Sequence, residues 1–357
     1  MTSSYRYCGL TLASDWPLPS LPLADWPGAA PHSAPDPEPD PAPDLEIVLG
    51  SVPKSLPDEQ RRTATFAHNG REALWWLDGI GRCWISAGGR QIRVEPESTS
   101  EPEPEPKPST DPSGDQDQDQ DHDADADADA DGDRHADALG LMLLHPLMAL
   151  AAVRRGDWML NAAAVERDGQ VFAFIGPSAS GKSTAAALLI KRGFRLVSDG
   201  LLRVTRSADG EWLAHPQAPW LQLWPDTLKR LGLDDDNLSP VRPGLRLTRW
   251  PSPCLTEPLP LARIGLLREQ RGNDLEDFVP SARAGTRGVE TLLTHTAGST
   301  WLEELADRRT LFQWAVGLKA KIPLERLEAP WGWERLEALS TQLAAWCESP
   351  TNESPPR

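Results

Sequence analysis

Short runs that alternate apolar and polar residues fill the first hundred positions, at residues 5–11, 45–49, 63–67, 73–77, 82–86 and 91–94. Alternation with a period of two puts successive side chains on opposite faces of a strand, so each run predicts a β-strand. Asn69-Gly70 and Asp78-Gly79 between runs are turn dipeptides, and they predict antiparallel hairpins. After residue 138 the pattern changes. Residues 139–155 read as an apolar helix closed by Gly156, with Arg154 and Arg155 in the last turn, where cations complement the helix dipole. Residues 158–166 and 170–175 read as two strands joined by Arg167-Asp168-Gly169. A helix to Arg192, a stop at Gly193 and a strand over 194–198 follow, with a further strand over 261–267. Residues 303–319 and 333–346 predict amphipathic helices, the second with Leu336, Leu339, Leu343 and Trp346 on one face. The predicted class is α/β: a small β-rich N-terminal domain over 1–95 and a mixed α/β domain over 138–347.

Composition changes this picture in two places. The formal net charge is −17, and 35 of the 357 residues are Pro. Between Glu95 and Asp137 stand five Glu and twelve Asp against Lys107 and Arg134, which accounts for all but two of those net charges. The folded part is therefore near neutral. No basic face stands out to track a phosphate backbone, which argues against a nucleic-acid partner. Residues 96–137 hold almost nothing apolar larger than Ala, so burial cannot offset their ordering entropy. They predict a disordered acidic linker, as the Pro/acid stretch 34–44 predicts a solvated loop and 348–357 a disordered tail. The two-residue alternation in the acidic segment lacks the Gly turn and terminal Glu of a calcium loop.

The longest apolar run, 139–153, is interrupted by His145 and Pro146 and falls short of the about 20 residues that span a bilayer. The start M-T-S-S-Y-R-Y-C lacks a charged segment followed by an apolar one, so it does not read as a secretion signal. Cys8, Cys83, Cys254 and Cys347 are far apart and form no metal pair. A cytoplasmic protein with reduced thiols and no membrane partner is expected; self-association is left open.

The most informative string is Gly176-Pro177-Ser178-Ala179-Ser180-Gly181-Lys182-Ser183-Thr184. It fits G-x-x-x-x-G-K-[ST] between a predicted strand and a predicted helix, where a phosphate-binding loop has to lie. Its glycines let backbone N–H groups curl around phosphate oxygens, and the helix N-terminus adds positive partial charge. ATP is the expected ligand of all nine residues, with Lys182 on the β- and γ-phosphates and the Ser183 hydroxyl on Mg²⁺. One helix later, Arg195-Leu196-Val197-Ser198-Asp199 reads as an apolar strand ending in an aspartate. Asp199 is thus the candidate metal-organising or base carboxylate, against the plainer reading of a loop-capping acid.

Residues 160–204, L-N-A-A-A-V-E-R-D-G-Q-V-F-A-F-I-G-P-S-A-S-G-K-S-T-A-A-A-L-L-I-K-R-G-F-R-L-V-S-D-G-L-L-R-V, resemble the HPr kinase/phosphorylase family. The run K-R-G-F-R-L-V-S-D carries more of this resemblance than G-K-S does. The start Y-R-Y-C-G-L-T-L-A-S-D-W-P-L-P and the stretch P-W-L-Q-L-W-P resemble an HPr-kinase-related branch found with peptide-tailoring genes, lasso-peptide clusters among them. The resemblance implies a nucleotide domain akin to that of phosphoenolpyruvate carboxykinases. It also implies ATP-dependent phosphorylation of a serine hydroxyl on a peptide or small protein. By position, Lys182 contacts phosphate, Ser183 holds Mg²⁺ and Asp199 accepts the hydroxyl proton. Two positions depart from the family: Asn161 stands where His is common, and Gly200 follows Asp199 where a second Asp is common. Asn cannot exchange a proton near neutral pH. The alternative reading is therefore a catalytically weak or inactive ATP-binding pseudokinase; a small-molecule kinase or hydrolase is a third. The family's later metal-binding glutamate has no match, and Asp226 in L-W-P-D reads first as a helix N-terminal residue. His145 is expected to kink or start its helix, Arg308, Arg309, Lys319 and Lys321 to be a solvated helix face, and His295 to stand apart from the site.

Overall fold

The computed structural model describes residues 2–18, 21, 42–78, 80–97, 140, 143–233, 238, 240–241, 245–269, 278–298, 305–329 and 332–349. The expectations for 34–41, 98–137 and 350–357 lie outside these residues.

Eight strands form one sheet: β1 (Ser3–Tyr7), β2 (Leu10–Ser14), β3 (Leu45–Leu49), β4 (Arg61–Arg62), β5 (Phe66–His68), β6 (Ala73–Leu77), β7 (Gly81–Ile85) and β8 (Gln91–Pro96), in the order β1-β2-β3-β8-β7-β6-β5-β4. The run at 5–11, predicted as a single strand, is instead two. Cys8 and Gly9 take φ of 53° and 66°, and two successive left-handed residues turn the chain into a hairpin. The sheet is also not antiparallel throughout, because β3 runs parallel to both β2 and β8. Alternation sends Leu10 and Leu12, Leu45 and Ile47, and Ile92 and Val94 into one core.

That core is completed from later in the chain. A π-helical turn, Leu143–Leu147, leads into helix α1 (Met148–Arg155), and Leu143, Leu147 and Met148 are fully buried in the same cluster. Each such side chain contributes roughly 1.5–3 kcal/mol on burial. Gly156 stops α1 in the left-handed conformation (φ 79°), its N–H directed at the carbonyls of Ala152 and Val153. Arg154 then donates to the carbonyls of Gly70 and Ala87, and Arg155 to that of Asp44, which ties the helix end to the sheet.

The second sheet contains β9 (Met159–Arg167), β10 (Gln170–Ile175), β11 (Arg195–Arg206), β12 (Trp212–Ala214), β15 (Leu259–Glu269), β16 (Val279–Ala282) and β17 (Leu324–Ala329). The β9–β10 hairpin predicted from the sequence is present, turning at Asp168 and Gly169 with φ of 53° and 79°. On its other edge β10 pairs in parallel with β15, which also runs parallel to β17. β13 (Trp220–Leu223) and β14 (Thr248–Pro251) form a separate antiparallel pair.

β10 is apolar at nearly every position because both its faces are covered. Phe172 and Phe174 point to a cluster with helices α2 (Lys182–Ile190) and α6 (Leu336–Glu348), where Phe174 lies 5.7 Å from the ring of Trp346. Val171, Ala173 and Ile175 point the other way, to α4 (Gly285–Thr294) and α5 (Arg308–Lys321). A short helix, α3 (Pro225–Leu231), follows β13. The result is a mixed α/β fold whose second sheet is covered by helices on both faces, and β10 delivers the glycine-rich loop at its C-terminal end.

Candidate functional site

Chain geometry at residues 176–181 depends on two glycines. Gly176 has φ of 156°, and a Cβ there would stand 2.6 Å from Ser180 Oγ and 2.9 Å from the carbonyl oxygen of Leu267 on β15. No side chain fits. Gly181, at φ 87°, starts α2 without a side-chain cap, and no acidic residue lies in the first turn. The N–H groups of that turn have no intrahelical acceptors, so this end of α2 carries positive partial charge. Ala179 is left-handed at φ 60°, a strained conformation for a residue with a Cβ. The buried hydroxyl of Ser180 has no hydrogen-bond partner. An uncapped helix start, a glycine cradle and an unpaired hydroxyl together suit a phosphate group. Lys182 Nζ folds over the same loop, donating to the carbonyls of Gly176 (3.0 Å) and Pro177 (2.9 Å). Pro177 and Ser178 are exposed; Thr184 is half-buried in the first turn of α2.

Asp199 is brought onto this loop. Ser183 Oγ donates to Asp199 Oδ1 at 2.7 Å, and the Gln222 backbone N–H donates to Oδ2, also at 2.7 Å. The carboxyl group is buried, and burial pushes its pKa up to about 6 against the opposing pull of those two hydrogen bonds and of Lys182. Burial also lowers the pKa of Lys182, with Asp199 opposing.

The expectation that the strand ends at Asp199 is overturned: β11 runs on to Arg206. The partner strand β9 is long enough to carry the ladder from Arg195 opposite Glu166 to Arg203 opposite Met159, with a bulge between Leu196 and Ser198. Asp199 is therefore a mid-strand residue, aimed at α2 beside a local irregularity. Asn161 pairs with Leu201 and Ala163 with Asp199, so the period-two alternation puts Asn161 on the same face as Asp199. Gly200 has φ of 121°; a Cβ there would meet the His145 and Gln217 side chains at ordinary contact distance, 3.5 and 3.7 Å. Its backbone, rather than lack of room, disfavours a second carboxylate.

His295 does not stand apart. It ends α4, its carbonyl accepts the Asn161 N–H at 2.8 Å, and its imidazole pKa is pushed down to about 4 by burial, then by Lys182 and Arg268. Arg268 is exposed and directly follows Leu267, whose carbonyl abuts Gly176. Lys182 and Arg268 thus give this rim a cationic field. His145 sits in the π-helical turn, as expected at a kink, with its ring beside Gly200. Asp226 is exposed in the first turn of α3. Arg308, Arg309 and Lys321 are exposed on or at the end of α5, and Lys319 is half-buried.

Among the described residues, no group of three or more His, Cys, Asp or Glu gathers as a metal site, and no helix is long and apolar enough to cross a membrane. Ser183 and Asp199 remain a two-residue donor set. That suits Mg²⁺, which is commonly held by one or two side chains with phosphate oxygens and water filling its octahedron.

Sequence reasoning missed Gln217 and Gln222. Gln222 acts through its backbone, which leaves no residue signature. Gln217 accepts from the Asp199 N–H at 2.8 Å, and lies just before the P-W-L-Q-L-W-P stretch.

No protein-family profile and no curated protein matches the chain. Among solved structures it is similar to the Hpr(Ser) kinase/phosphatase from Coxiella burnetii, at 12% identity and a TM-score of 0.28, over 54% of this chain and 99% of that one. A shared fold does not follow from a superposition at that level.

Proposed function

We propose that the chain is an ATP-dependent kinase that transfers the terminal phosphate of ATP to a serine hydroxyl of a peptide or small protein, with Mg²⁺ as the metal ion. The observation that carries this reading is the 2.7 Å hydrogen bond from Ser183 to Asp199, 16 residues apart. It joins the hydroxyl of a glycine-rich loop to a buried carboxylate, the pairing that phosphoryl transfer needs. Residues 176–184 receive the phosphates, and Lys182 turns from the loop carbonyls to the β- and γ-phosphates. Ser183 and Asp199 hold Mg²⁺, which when bound neutralises charge on the phosphate oxygens.

Asp199 accepts the proton of the serine hydroxyl as its oxygen bonds to the γ-phosphorus. The bond from that phosphorus to the β–γ bridging oxygen breaks, and ADP leaves. A buried carboxylate held against the loop is placed to orient the serine hydroxyl and take its proton. The serine-bearing acceptor follows from the family resemblance at residues 160–204. In this reading residues 138–347 carry the nucleotide chemistry.

A second reading, an ATP-binding protein with little turnover, is supported by Asn161 and by the glycine conformation at Gly200. Binding of MgATP and single-turnover ADP formation, measured with candidate serine peptides, separate the two. Turnover that disappears in Asp199→Ala while binding persists, and binding that weakens in Lys182→Ala, is the kinase result. Tight binding without turnover in the wild type is the pseudokinase result, and no binding refutes both.

A further inference from the structure

Tyr7 closes β1, and its side chain is buried in the core of the first sheet. Its hydroxyl accepts a hydrogen bond from Gln217 Nε2 at 2.7 Å across a sequence separation of 210 residues. Gln217 is itself buried and turns Oε1 onto β11, accepting from the Asp199 N–H at 2.8 Å and from Ser198 Oγ at 3.2 Å. Its own N–H donates to the Val197 carbonyl at 2.8 Å. The adjoining turn follows the same path: Cys8 Sγ donates to the Leu201 carbonyl, and Gly9 abuts the ring of His215.

This contact falls where β11 has a strand partner, β9, on one edge only. β12 pairs with β11 only over Val204–Arg206, so at residues 197–199 Gln217 occupies hydrogen-bonding positions that a neighbouring strand would otherwise fill. Asp199 is also flanked by the bulge at 196–198 and by the positive φ of Gly200. With a bulge on one side and a glycine on the other, the peptide plane before Asp199 is held by the Gln217 side chain. The Asp199 N–H can only donate, so it sets Gln217 Oε1 as the acceptor and leaves Nε2 to donate to the Tyr7 hydroxyl, which anchors the far end of the amide.

Resting on the kinase reading above, we propose that Tyr7 and Gln217 are positioning residues for Asp199, making the first hairpin of the N-terminal sheet a working part of the phosphoryl-transfer site. Neither touches a reacting atom. They hold the main chain from which the carboxylate projects, and a displacement of about 1 Å at a reacting group costs on the order of 100-fold in rate.

The test compares full-length Tyr7→Phe and Gln217→Leu with wild type and with Tyr5→Phe. Tyr5 is a buried tyrosine of the same strand whose hydroxyl accepts from the Leu18 N–H at 3.3 Å, away from Gln217. Expected is a fall in kcat of about tenfold or more for Tyr7→Phe, with KM for ATP within about twofold, and wild-type kcat for Tyr5→Phe. Hydrogen exchange of the peptide spanning residues 196–201, followed by mass spectrometry without nucleotide, reads the same link independently of turnover. It is expected to quicken in Tyr7→Phe and Gln217→Leu and not in Tyr5→Phe. Unchanged kcat in Tyr7→Phe, or equal loss in Tyr5→Phe, overturns the proposal. If wild type fails to turn over, the kinase reading fails by itself. Selective quickening in Tyr7→Phe then upholds the link to Asp199, and equal exchange in all proteins overturns it. Gln217→Leu removes a buried amide, so Tyr7→Phe decides the outcome should that variant fold poorly.

Discussion

Gly9 and His215 touch more closely than any side chain on Gly9 would permit: a Cβ there would overlap His215 Nδ1. The contact places the β1–β2 turn directly on the segment after β12. Gly9→Ala is therefore expected to destabilise the protein by about 2–4 kcal/mol, combining overpacking with a left-handed φ of 66°. Urea denaturation checks this. Adding His215→Ala should restore the overpacking part of the loss and leave the backbone part.

His215 bonds to the Thr205 hydroxyl through Nε2 at 2.8 Å, and its pKa is pushed down to about 4, by burial first and then by Arg203, against Asp157. A histidine whose folded pKa lies below its unfolded value contributes stability above the unfolded pKa and loses it as pH falls toward the folded one. The protein is thus expected to lose stability between about pH 6.5 and 4 from this residue. In His215→Gln the decline over that window should be shallower, as read from denaturation midpoints at several pH values.

Asp199 acts in the opposite sense. With a folded pKa raised to about 6, it contributes stability below the unfolded carboxylate pKa, and that contribution is lost as pH rises through 6. At neutral pH its buried charge costs on the order of 3 kcal/mol. Asp199→Asn should be more stable than wild type at pH 7.5, with the difference shrinking at pH 4.5. ATP turnover should run the other way, falling at least about 100-fold in Asp199→Asn. Parallel denaturation and rate measurements decide both.

Phe174 is wholly buried one residue before the end of β10 and packs on Trp346 of α6. Phe174→Ala should cost about 3–5 kcal/mol in global stability. Because β10 carries the loop, its effect should extend to a weaker affinity for MgATP, measurable by calorimetry at a temperature where the variant remains folded.

The loop and its flanking elements are legible in the sequence because their parts are local. The β9–β10 hairpin, the loop and the start of α2 lie between residues 159 and 190, and each is set by nearby glycines and a continuous apolar run. The structure brings Asp199 to the loop, but the length of its strand is not legible, because the partner β9 sets how far β11 runs and the periodicity of β11 alone does not reveal it. Cys8 and Gly9 hid a hairpin inside what reads as one strand, since a left-handed Cys has no strong sequence signature. Gln217 and Tyr7 were out of reach for a different reason. Their role comes from a contact across 210 residues, and no local pattern encodes it. The cations that lower the pKa of His295, Lys182 and Arg268, come from two other elements, so the local sequence around it carries no sign of them.

The placement of α1 has a consequence for biosynthesis. The apolar face of the first sheet is covered by residues 143–155, which emerge from the ribosome only after the long acidic segment has been made. Until then the nascent strands present uncovered leucines, isoleucines and valines, the surface on which chaperones act and from which aggregates grow. A highly charged stretch translated during that interval is well suited to keep the waiting sheet in solution until its helix arrives.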